Sequence, residues 1–137
     1  MNTISELQVR IGEVNIANGW RERVETFPTS QARAHAQITR LALITTEVSE
    51  AIEEIRVGRR PDETHYSHSK DSAYNEHERY NRDGSSRKPE GVPSELADVV
   101  IRALDAADAW GIDLEAMIAE KLEYNAQRGF RHGGKTA

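Results

Sequence analysis

The chain has 137 residues, is 37% hydrophobic and 30% charged, and carries a formal net charge of −5. That length suits a single domain over 1–137 with a modest core, which oligomerisation would extend. The acidic balance argues against a protein that coats a nucleic-acid polymer, and the absence of cysteine excludes disulfides, thiolate metal sites and a cysteine nucleophile.

No apolar stretch approaches the roughly 20 residues needed to cross a bilayer. The opening "MNTISELQVR" lacks the basic start and apolar middle of a signal peptide. A cytoplasmic protein without a membrane partner is therefore expected.

In chain order, Ile4, Leu7, Ile11 and Val14 repeat at helical spacing, and "NGW" at 18–20 ends that first helix. A second helix is predicted over about 30–57, with Thr29 or Ser30 as its cap and Gly58 at its end. Ile38, Leu41, Thr45, Val48, Ile52 and Ile55 form its apolar seam. Residues 59–92 are polar, nearly devoid of aliphatic side chains, and read as a surface insertion ordered through Tyr66, Tyr74 and Tyr80.

A third helix begins near Pro93 and stops before Gly111. Its apolar residues Leu96, Val99, Val100, Ala103, Leu104, Ala107 and Trp110 cover an arc wider than the roughly 100° of a surface helix. This predicts packing on more than one side. The fourth helix, capped by Asp113, has Leu114, Met117, Ile118 and Leu122 as its inward face. Residues 129–137 form a basic tail. Strand signals are missing, so the expected fold is all-α: a small bundle of about four helices.

Two acid pairs stand out. Glu47 and Glu50 on helix two, and Glu95 and Asp98 on helix three, each fall at i, i+3. Acids on an amphipathic helix are ordinarily solvated. Here Leu43, Ile44 and Ala51 lie beside the first pair, and the second occupies a narrow polar strip with Arg102 and Asp105. Such acids either pair with bases or hold a cation. Four carboxylates converging from two helices would repel and raise their own pKa values, and oxygen-only ligands favour Mg²⁺ or Mn²⁺ over zinc. On helix four, Lys121, Asn125 and Arg128 continue the apolar face. They either snorkel or line a cleft where phosphate oxygens meet the arginine fork.

Other side chains carry weaker signals. Trp20 offers an indole face to a nucleobase, although closing an apolar gap between helices is the commoner use. Trp110 is expected in the core and His35 as a partly buried structural residue. His65, His68 and His77 lack zinc-site spacing. Arg131, His132 and Lys135 either close over phosphates or remain solvated.

"EVSE" followed by "ELAD", with "KLEYNAQRGFRHGGK" behind them, resembles the E-x-x-E…E-x-x-D signature and K-x-x-x-N-x-x-R block of the MazG-like nucleoside triphosphate pyrophosphohydrolases. The likeness covers roughly 30–58 and 89–135, with 51–94 longer than the family's usual spacing. The resemblance implies Mg²⁺-dependent hydrolysis of a (deoxy)nucleoside triphosphate to the monophosphate and pyrophosphate. Glu47, Glu50, Glu95 and Asp98 would be metal ligands, with Glu47 or Glu50 as general base. Lys121, Asn125 and Arg128, with Trp20 and Lys135 as further candidates, would contact substrate. It also implies a homodimer or homotetramer. Two rival functions are a pyrophosphohydrolase acting on a phosphoribosyl-nucleotide or alarmone, and a non-catalytic helical oligomer used for protein contacts.

Overall fold

The computed structural model describes residues 2–67 and 75–128; His68, Tyr74, Arg131, His132 and Lys135 lie outside them. The main elements are the expected four helices: α1 (Ile4–Ala17), α2 (Ser30–Arg56), α3 (Val92–Ala109) and α4 (Leu114–Gln127). Two three-residue strands, β1 (His65–Ser67) and β2 (Lys88–Glu90), lie between α2 and α3. The chain divides into two compact units, Met1–Glu25 with Leu104–Ala137, and Thr26–Ala103, and the boundary falls within α3.

In the first unit α1 begins with a capping box. Thr3 Oγ1 accepts from the Glu6 N–H at 3.1 Å, and Glu6 Oε2 accepts from the Thr3 N–H at 2.7 Å, so two orphan donors of the first turn are satisfied. Asp113 caps α4 as expected, accepting from the Ala116 N–H at 2.9 Å. The two helices are tied at their ends: the Ser5 N–H donates to Glu115 at 3.0 Å and Gln8 Nε2 to the Ile112 carbonyl at 2.9 Å.

Arg21 supplies the buried electrostatics of this unit. Its side chain is 4% exposed, its Nε donates to Asp105 Oδ1 at 2.9 Å, and its Nη2 pairs with Asp108. Gly12 is the buried residue of α1, and a Cβ there would overlap both the Asp108 carboxylate and the Arg21 guanidinium.

In the second unit Thr29 is the cap of α2, its Oγ1 accepting from the Ala32 N–H at 3.0 Å. Gly58 ends the helix with φ of +91°. The insertion then forms the small antiparallel sheet, His65 opposite Glu90, where the sequence shows no strand signal. A buried arginine organises it. Arg87, 4% exposed, donates from Nη1 to the carbonyls of Asn75 and Glu78 (2.5 and 2.7 Å) and from Nη2 to that of Tyr66. Five fixed N–H donors can satisfy several backbone carbonyls at once, so a segment without aliphatic residues still acquires an interior. Arg59 adds ion pairs to Glu63 and Glu76. The ring of His65 lies between Glu54 of α2, 3.1 Å from Nε2, and Glu90, 3.7 Å from Nδ1.

Several expected core positions are open. The α2 seam is exposed at Ile38 (63%), Leu41, Val48, Ile52 (55%) and Ile55, whereas its buried residues are Glu47 and Ala51. On α3, Leu104 and Ala107 are buried, but Leu96 and Val100 are not, and Trp110 is only half-buried. No described residue of α4 is buried; Met117 and Leu122 stand exposed. His35 is exposed, and Trp20, at 80%, closes no gap. Among the described residues these apolar faces stay open.

Ordinarily, alanine in place of a mid-helix glycine stabilises by up to about 1 kcal/mol. At Gly12 the sign should reverse. Gly12→Ala is expected to destabilise by about 1–3 kcal/mol through overpacking, read as a lower urea midpoint; an unchanged or raised midpoint contradicts the observed closeness of the Arg21–Asp108 pair.

Candidate metal centre

The second unit brings three of the four expected metal ligands together. Glu47 and Glu50 stand one helical turn apart on α2, and Glu95 lies in the first turn of α3. Each offers a carboxylate oxygen, and the three oxygens lie within 4.8 Å of one another. Asp98 does not join that group, although it lies within electrostatic range of Glu47 and Arg102.

The members differ in surroundings. Glu47 is 5% exposed, and its Oε1 accepts the Nε–H of Arg102, four residues beyond Asp98 on α3. Glu95 is 6% exposed and makes no hydrogen bond or ion pair among the described residues. Glu50 is exposed and equally unpaired. Arg102 is thus a site residue whose role the sequence leaves open. Its i, i+4 relation to Asp98 signals a local pair, whereas the bond it forms reaches Glu47, 55 positions away.

A buried carboxylate without a donor is costly in its charged form. Burial pushes the Glu95 carboxyl above the usual carboxylate range, and the nearby charges of Glu50, Asp98 and Glu47 push it further. Asp98 is raised for the same first reason, burial, and then by Glu47; Arg102 and Lys88 oppose the shift. Lys88 of β2 opposes it at Glu95 as well, so the insertion lends the site part of its positive field.

The donor set fits a hard divalent ion. It is all oxygen, which suits Mg²⁺ or Mn²⁺. Ligands held at about 2.1 Å from such an ion lie at most about 4.2 Å apart, so the three carboxylates stand close to ligating separation. A cation there would remove the repulsion that raises Glu95 and Asp98.

The substrate candidates Lys121, Asn125, Arg128 and Trp20 belong to the first unit. The first three are exposed on α4, and the cations of Lys121 and Arg128 each lie 5.5 Å from the Tyr124 ring centre. Neither forms an ion pair among the described residues. Lys135 lies outside those residues. His65 is engaged by two carboxylates through opposite ring nitrogens, and His77 is exposed beside Glu76; no metal-ligating group among the described residues contains a histidine.

A raised carboxyl pKa means that the folded protein holds its proton over a pH range where the unfolded chain has lost it. Stability from these groups therefore falls as pH rises from the ordinary carboxylate range through the folded pKa. Glu95→Gln removes that loss. In metal-free buffer the variant is expected to melt a few degrees above the parent at pH 7, with the difference shrinking towards pH 4; a pH series of thermal melts reads it. A variant that melts lower than the parent at pH 7 contradicts an unpaired Glu95.

Comparison of the chain with protein-family models, curated proteins and solved structures finds no match.

Proposed function

We propose that the chain is a Mg²⁺-dependent nucleoside triphosphate pyrophosphohydrolase, releasing pyrophosphate and a nucleoside monophosphate in the upkeep of the nucleotide pool. One observation carries the reading: the carboxylate of Glu95, buried and without a donor, faces Glu47 and Glu50. Acids brought together from two helices repel unless some keep their protons or a cation joins them, and a divalent ion would relieve Glu95 and Glu50 together. The E-x-x-E…E-x-x-D pattern on which they lie supports assigning that cation to phosphoanhydride chemistry.

Within this reading the chain's own groups divide the work by their surroundings. Glu95 serves as a ligand, having neither solvent nor a donor to engage. Glu47 is occupied on one oxygen by Arg102. Glu50, exposed and unpaired, is the better placed of the two helix-two acids to accept the proton of a water that attacks the α-phosphorus. Mg²⁺, when bound, lowers the pKa of that water and neutralises charge gathering on the leaving pyrophosphate. Lys121, Asn125 and Arg128 are assigned to the phosphates. Their exposure, and the lack of a carboxylate partner for the two cations among the described residues, leaves their donors open to an anion.

We also propose that the working form is a homodimer or homotetramer. Ile38, Leu41, Ile52 and Ile55 along α2, Leu96 and Val100 on α3, and Leu122 on α4 are all exposed in the single chain. Apolar stripes of that extent ordinarily mark protein interfaces. No helix among the described residues is long and apolar enough to cross a membrane, so a second copy is the simpler cover.

Two sets of measurements test these proposals. Glu50→Ala and Glu95→Ala should abolish Mg²⁺-dependent pyrophosphate release across a panel of nucleoside triphosphates while keeping the parent's helical circular dichroism. Lys121→Ala and Arg128→Ala should raise KM about tenfold; undiminished turnover in the two acid variants removes the metal-centre model, and a parent that releases no pyrophosphate removes the hydrolase reading. Light scattering on a sizing column should give at least twice the chain mass, and Ile52→Asp should reduce it. A monomeric parent removes the oligomer.

A further inference from the structure

We infer that Arg102 sets the ion preference of the acid centre by engaging one oxygen of Glu47, which disfavours ligation of a metal through both oxygens of that residue. The inference rests on the metal-binding reading above. A glutamate carboxylate can ligate through one oxygen or both. Mg²⁺ and Mn²⁺ are small, with near-octahedral shells served by single oxygens, whereas Ca²⁺ takes more ligands and commonly draws both oxygens of a glutamate.

In this chain Glu47 is not free to choose. Its Oε1 accepts the Arg102 Nε–H, and its side chain is only 6% exposed. Chelating an ion through both oxygens would compete with a charge-assisted bond, the stronger class of hydrogen bond. Arg102 itself is 39% exposed, more open than the Glu47 it holds. Glu95 and Glu50 carry no comparable restraint. The constraint thus falls on one ligand, from a residue on the opposing helix that need not touch the ion. Arg102 is accordingly a positioning residue.

The test uses binding rather than turnover. Mn²⁺ is titrated into the full chain and followed by loss of the free-ion electron paramagnetic resonance signal, then displaced with MgCl₂ or with CaCl₂. The parent should release Mn²⁺ at lower Mg²⁺ than Ca²⁺. In Arg102→Met, which keeps the apolar stem and removes the donor, the ratio of the two displacement constants should shift towards Ca²⁺ by about tenfold, the usual scale for losing a partner that orients a ligand. Arg102→Gln serves as a second removal variant should the methionine form not fold, and Arg102→Lys should restore the parental ratio. A ratio that stays within twofold of the parent's in the folded removal variants, whether both affinities fall or neither does, overturns the inference and leaves the metal site standing. A parent that binds no Mn²⁺ removes the metal reading and the inference together.

Discussion

Two carboxylates, Glu47 of α2 and Glu95 of α3, are buried facing one another, and a single guanidinium serves one of them. Burying a charge is costly unless it is paired and hydrogen-bonded. Arg102 meets that condition for Glu47, and no described residue meets it for Glu95. The same helix that hides Glu47 leaves Ile38, Ile52 and Ile55 open to solvent. Acid inward and isoleucine outward is a poor arrangement for a helix that works alone. A cation among the acids and a second apolar surface over the isoleucines would answer both faults, and the proposed metal centre and the proposed oligomer follow from that pairing.

The insertion bears on the same centre. With almost no aliphatic residues it cannot form an apolar core, and it is held instead by Arg87 on three carbonyls, Arg59 between Glu63 and Glu76, and His65 between Glu54 and Glu90. Polar networks of this kind specify a geometry because each lost bond leaves a buried group stranded. The network ends beside the acids in sequence: β2 closes at Glu90, Gly91 takes φ of +103° so that the Glu63 carbonyl can approach, and α3 starts at Val92. Lys88 is thereby fixed where its charge is felt by Glu95 and Asp98. The polar segment thus helps to set the electrostatics of the site.

Helix limits, caps and the two acid pairs were legible in the residues themselves. Thr29, Gly58, Asp113 and Gly111 act locally, through one or two turns of backbone, and i, i+3 spacing fixes which acids share a face whatever surrounds the helix. The E-x-x-E and E-x-x-D runs therefore marked four acids, three of which the structure brings together. What remained hidden was nonlocal. That Glu95 joins Glu47 and Glu50 while Asp98 stands aside, that Arg102 reaches across to Glu47, and that Arg87 replaces an apolar core depend on how distant segments meet. Periodicity cannot say which face a helix buries when one stripe is acidic and the other awaits a partner, so the α2 seam read as interior proved to be surface. Sequence determined the elements and their chemistry because those are set within a few residues. Burial, pairing and the perturbed carboxyls were decided by tertiary structure, because desolvation and Coulomb energies depend on distances through space.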